Sequence, residues 1–183
     1  MMSALTASVM CCNKIPQGGG GQTDPPSVLP PKLAYEKCIA IGDQKTRSFM
    51  ILDGETFQPI WKWKASGDFI PASRLSWFNN PSEVKPVMDN THILFTCSGG
   101  AVGLIRIKDK KLVWYAKAGV NPHSAELLPD GNIVAVSSTD AKVSIFNPDS
   151  QTDPEACLAT YNWPSAHALI WDRGRQLLYG NYA

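Results

Sequence analysis

The feature that most constrains this chain is internal repetition. Residues 122 to 147, PHSAELLPDGNIVAVSSTDAKVSIFN, read as a strand ending at Leu128, a tight turn at Asp130-Gly131 and a second strand from Asn132 to Ser138. A polar turn and a third strand, Lys142 to Phe146, follow. Residues 84 to 107, VKPVMDNTHILFTCSGGAVGLIRI, have the same layout, and residues 167 to 183 begin it again. Ile93, Asn132 and Gln176 open matching strands, spaced by roughly the 40–45 residues of a β-propeller blade.

Residues 37 to 65 supply an earlier copy: KCIAIGDQ, SFMILD and QPIWKWKA are three strand-like runs separated by turns. In WKWK the alternation puts Trp61 and Trp63 on one face and Lys62 and Lys64 on the other. IRIKDKKLVWYAKA repeats MILDGETFQPIWKWKA, with Trp114 in the register of Trp61 or Trp63. Between these copies, residues 66 to 83 lack clean periodicity and read either as a short helical insertion or as a long loop. The prediction is an all-β fold, a β-propeller of about three blades plus the start of a fourth, over residues 33–183.

Composition fits one domain: 183 residues, 44% of them apolar, with a net charge of +1 and 18% charged residues. That balance excludes the basic footprint of a nucleic-acid binder, and the run KDKKL at 108–112 falls at a hairpin tip. Cys38, Cys97 and Cys157 are scattered, without metal-ligand spacing, and read as buried unpaired thiols. Residues 1–12, MMSALTASVMCC, are too short an apolar run to span a bilayer. They read as the end of a signal peptide with a lipobox, lipidated at Cys12 or Cys11. Residues 13–32, with four Gly and five Pro, read as a disordered tether. Together these place the protein in the cell envelope, on the membrane through a lipid alone; a disordered cytosolic N-terminus is the competing reading.

The combination GDQ (42–44), VKPV (84–87), CSGG (97–100), PHSAELLPDGNIVAVSST (122–139) and SAHALIWDRGRQLLYG (165–180) resembles a domain-of-unknown-function family of secreted bacterial propellers. The resemblance covers nearly everything from Lys37 onward and is most specific at HSAELLPDG. It implies a fold similar to WD40-like and quinoprotein-like propellers and brings no established reaction. Members of that family carry further repeats, so the resemblance implies a C-terminally incomplete propeller.

The first strand of a propeller blade lines the central channel. His123 and His167 lie at matching starts of such strands and are the candidate catalytic or metal-binding residues, imidazole being able to ligate, accept or donate a proton. Their structural alternative is to hydrogen-bond a neighbouring blade's backbone. Glu126, on the opposite face of the same strand, Asp43 at a strand end, and Trp77 in the 66–83 segment complete the candidate ligand-binding set. For Trp77 the alternative is to pack its loop onto the scaffold. His92 and the Asp130-Gly131 and Asp172-Arg173-Gly174 turns read as turn chemistry. Nucleophile-elbow, phosphate-loop, zinc-protease and dinucleotide motifs are absent. The expected function is a ligand-binding scaffold for a glycan or a protein, needing no cofactor. The alternative is an enzyme acting on a sugar-like substrate through a channel-mouth His cluster that holds a divalent metal or serves as base. A quinone cofactor is a third reading, resting on repeat similarity alone.

Overall fold

The computed structural model describes residues 37–150 and 155–181. The expected lipidation residues Cys11 and Cys12 and the 13–32 tether lie outside them. The chain forms antiparallel sheets strung in sequence order. β1 (Cys38–Asp43), β2 (Ser48–Asp53) and β3 (Pro59–Lys64) make the first. A 3-10 helix (Ala72–Phe78) precedes β4 (Pro81–Val87), β5 (His92–Cys97), β6 (Ala101–Arg106) and β7 (Lys111–Lys117). The third sheet holds β8 (Pro122–Leu127), β9 (Ile133–Ser137), β10 (Lys142–Phe146) and β11 (Cys157–Asn162), and β12 (Leu169–Asp172) pairs with β13 (Leu177–Gly180). This is a β-propeller architecture, with three, four, four and two strands in successive blades among the described residues.

Local chemistry explains the strands. The alternation of WKWK holds: Trp61 and Trp63 are buried, Lys62 and Lys64 exposed. β5 and β9 are central strands and are apolar on both faces, as ILF and IVAV require. The β8–β9 turn places Gly131 at φ 87°, a conformation that costs glycine little. The Asp130 carboxylate accepts the Asn132 N–H at 3.0 Å to close it.

Packing runs between blades. Phe49, Trp61 and Trp63 of the first blade meet Phe95 and Ile105 of the second. The Trp61 indole donates to the Ile107 carbonyl at 2.9 Å, and that of Trp63 to the Lys110 carbonyl at 3.0 Å. Leu94 and Trp114 meet Ala125 and Phe146 at the next interface; Val134, Val136 and Val143 meet Leu169 at the last. Each large side chain so buried contributes about 1.5–3 kcal/mol.

Bulges settle the register of the tryptophans. The β2–β3 pairing slips after Ile51, which faces Trp61, and the β6–β7 pairing slips after Leu104, which faces Trp114. Trp114 is therefore the counterpart of Trp61. The same comparison corrects the first blade: β1 packs on β4 as β5 packs on β8. β1 thus holds a second-strand position, not the channel-lining one.

The 66–83 segment holds a short helical insertion, Ala72–Phe78, and its last three residues open β4. Ile70 and Phe78 are buried in the first core, Phe78 with its ring 5.9 Å from Phe95. Gly99 admits it closely, since a Cβ there would lie 2.3 Å from the Ser76 carbonyl oxygen. The thiols differ from expectation: only Cys97 is buried, Cys38 is half-buried and Cys157 exposed at the edge strand β11. Apolar burial pushes the Cys97 thiol far above its ordinary value.

Candidate functional site

β4, β8 and β12 stand side by side as the innermost strands of successive blades. Strand alternation sends Glu83 and Lys85 to one face of β4, and Ser124 and Glu126 to the matching face of β8. There they interlock. The Ser124 hydroxyl lies 2.8 and 2.9 Å from the two Glu83 oxygens, and Glu83 also accepts the Ala125 N–H at 2.8 Å. Ser124 in turn accepts the Leu169 N–H at 3.0 Å. One blade later, then, the same kind of tie is repeated. The Lys85 ammonium reaches across both neighbours, to the Ala125 carbonyl at 3.0 Å, Glu126 Oε2 at 3.0 Å and the Leu169 carbonyl at 2.7 Å. It also lies 3.3 Å from Glu83. Such desolvated charges persist only when paired and hydrogen-bonded, and here one cation serves two carboxylates.

The ties fix a correspondence between blades. Ala125 and Leu169 occupy equivalent positions, which makes His123 and His167 equivalent as well. In β8 the pairing skips from Pro122 to Ser124, leaving His123 as the extra residue of a bulge, as Ser82 is in β4. A bulge re-aims its side chain. The His123 ring stacks on that of His167, centroids 4.5 Å apart and planes inclined by 26°. His123 is half-buried and His167 exposed. Burial first, then the neighbouring His167, hold the His123 ring below the ordinary histidine value. His167 Nδ1 lies 2.7 Å from the Ser165 carbonyl, which can only accept, so Nδ1 donates and the neutral ring offers Nε2 as an acceptor. Asn181 Oδ1 fixes the approach to β12 by accepting the His167 and Ala168 N–H groups at 3.1 and 2.6 Å.

Trp77 belongs to a separate cluster. Its ring lies 6.4 Å from Tyr115, edge-on, with the Arg74 guanidinium 5.2 Å from its centroid and the Lys117 ammonium 5.6 Å from it. Arg74 also donates to the Tyr115 hydroxyl at 3.2 Å and pairs with Glu155. Asp43 closes its own turn, accepting from the Lys45 N–H at 3.0 Å and the Thr46 hydroxyl at 2.5 Å. The Thr46 hydroxyl is the main reason its carboxyl sits below the usual range.

Comparison with known proteins gives a family without a reaction. The chain belongs to the family of unknown function DUF6528. The family's profile matches residues 2–183. No curated protein sequence matches. Among solved structures, the WD40 β-propeller domain of Doa1 aligns with a TM-score of 0.58 at 12% identity, over 80% of this chain and 47% of that one. Hydrazine synthase of Kuenenia stuttgartiensis aligns with a TM-score of 0.61, also at 12% identity, over 80% of this chain and 39% of that one. These likenesses concern the fold, and the chain spans less than half the length of either structure.

The expected site residues therefore fall into separate groups. His123 and His167 meet. Glu126 does not join them, because Lys85 holds its carboxylate in the axial network. Asp43 does not either, because β1 is a second strand and the aspartate caps a turn. Among the described residues no group of three His, Cys, Asp or Glu could hold a metal ion, so the histidine pair has no third ligand there. His92, expected as a solvated turn residue, opens β5 half-buried, with Nδ1 2.8 Å from the Thr91 hydroxyl. Burial, then Arg106, lower its pKa. Sequence reasoning missed Glu83, Lys85 and Ser124. The available signal was Glu-x-Lys on one channel strand and Ser-x-Glu at the same place in the next repeat.

Proposed function

We propose that the protein is a non-enzymatic ligand-binding propeller of the cell envelope, tethered by a lipid on Cys12 or Cys11. Its ligand, a glycan or a protein segment, is held at the end of the axis that carries His123 and His167. The observation that carries this reading is the stacked pair itself. Two imidazoles from successive blades present hydrogen-bonding edges and a flat face, while the polar groups deeper on the axis are occupied with one another. Aromatic faces and neutral nitrogen acceptors suit uncharged, hydroxyl-rich ligands.

The test is binding to a glycan array, followed by titration of the best glycan with the histidine Cε1–H resonances observed. A saturable shift of both resonances, and at least tenfold weaker binding in His123→Ala and His167→Ala, supports the reading. Stoichiometric metal in the wild type that is lost from both variants overturns it in favour of the metal-dependent enzyme. The tether is tested separately: labelled palmitate enters the wild type and not the Cys11→Ser/Cys12→Ser double variant.

A further inference from the structure

A second polar surface lies at the same end of the propeller but away from the axis. An open cleft of about 380 Å³ separates the first blade from the 3-10 helix. Arg47, in the β1–β2 turn, and Lys64, the last residue of β3, line it from the first blade, and Leu75, Ser76, Phe78 and Asn79 line it from the helix and its C-terminal end. Lys64 pairs with Ser48 beside that turn, which brings the two cations to one rim.

Neither cation has a carboxylate partner among the described residues. Arg74, Arg106, Arg175, Lys85 and Lys142 all have carboxylate partners. Arg47 and Lys64 make no ion pair or side-chain hydrogen bond among the described residues. No carboxylate lines the cleft; Asp43 and Asp68, in neighbouring turns, accept from the Thr46 and Ser66 hydroxyls, each at 2.5 Å. Two cations without an ion-pair partner among the described residues, a hydroxyl, an amide and two apolar side chains thus line one cleft that holds no carboxylate. The fork of an arginine matches a carboxylate or phosphate, a lysine adds a point charge, and small polar groups orient hydroxyls. A volume of this size accommodates one substituted ring.

We propose that this cleft binds an acidic sugar, one pyranose ring bearing a carboxylate or a phosphate. Arg47 and Lys64 hold the anionic group, Ser76 and Asn79 meet ring hydroxyls, and Leu75 and Phe78 pack against the ring's C–H face. The proposal deepens the binding reading by naming a ligand class, and it rests on different residues from the histidine pair.

Calorimetric titration of the full chain with D-glucuronate, D-glucose 6-phosphate and D-glucose tests it. At least one of the two anions is expected to bind saturably, with glucose at least tenfold weaker. Arg47→Ala and Lys64→Gln should each weaken the anion about tenfold, and raising salt from about 50 to about 500 mM should weaken it further. Which anion binds distinguishes a uronate from a sugar phosphate. The proposal is overturned if neither anion binds at about 10 mM, or if both variants bind as the wild type does. Anion binding that disappears in His123→Ala but persists in Arg47→Ala also overturns it, while leaving the protein a binder at the axis. Unchanged thermal melting of Arg47→Ala and Lys64→Gln separates loss of site from loss of fold, and Arg47→Lys should retain part of the affinity.

Discussion

The axis and the rim of this propeller use the same residue types in opposite ways. On the axis, Lys85, Glu83, Ser124 and Glu126 satisfy one another and stitch three blades together. On the rim, Arg47 and Lys64 line a cleft and make no ion pair among the described residues. A polar group in a packed interior must be paired for the fold to stand, whereas one at a solvated edge keeps its hydration and can exchange it for a ligand. Substitution at the axis should therefore register as stability, and substitution at the rim as binding.

The largest effect is expected from Lys85→Ala, which strands two carboxylates. Discounted for the ammonium's partial exposure, the loss is about 2–3 kcal/mol in denaturant unfolding; a loss below about 0.5 kcal/mol would mean the network is not a tie. Trp61→Phe comes next. It keeps most of the apolar volume but removes the bond to the Ile107 carbonyl, and about 1–2 kcal/mol should be lost in the same assay. A smaller effect is expected from pH. His123 and His92 both titrate below the ordinary histidine value, so the unfolded chain takes up protons first. Stability is then full above about pH 6.5 and declines as pH falls below it. His123→Gln should flatten that decline, and an unaltered slope would place the linkage elsewhere. Smallest of all, Arg47→Ala should leave the unfolding midpoint where it is while weakening anion binding about tenfold. A large drop in midpoint would erase the distinction between axis and rim.

Much of the fold was legible in the residues. The period of the repeats, the Asp130-Gly131 turn and the WKWK alternation are local rules, and each strand they predicted is present. The equivalence of His123 and His167 was legible too, because it follows from repeat register. Their face-to-face stack was not, since it depends on a bulge that re-aims His123. Asp43 shows the limit of local reading. GDQ has the look of a strand end near a channel, but only the packing of β1 on β4 reveals that β1 is a second strand. Phe78 and Trp77 are adjacent and chemically alike. One fills a core and the other lies under two cations, a division made by contacts distant in sequence.

By itself the sequence determined that this chain repeats a short-stranded unit at blade length, with tryptophans alternating toward the interior. Those properties are set by side-chain period and turn conformation, which act over a few residues. Only the tertiary structure decided that Glu83, Lys85, Ser124 and Glu126 form one network, and that Arg47 and Lys64 share a cleft with Ser76 and Asn79. Each group joins segments distant in sequence, and what brings them within hydrogen-bonding or ligand-sharing distance is strand pairing within a blade and the packing of one blade on the next.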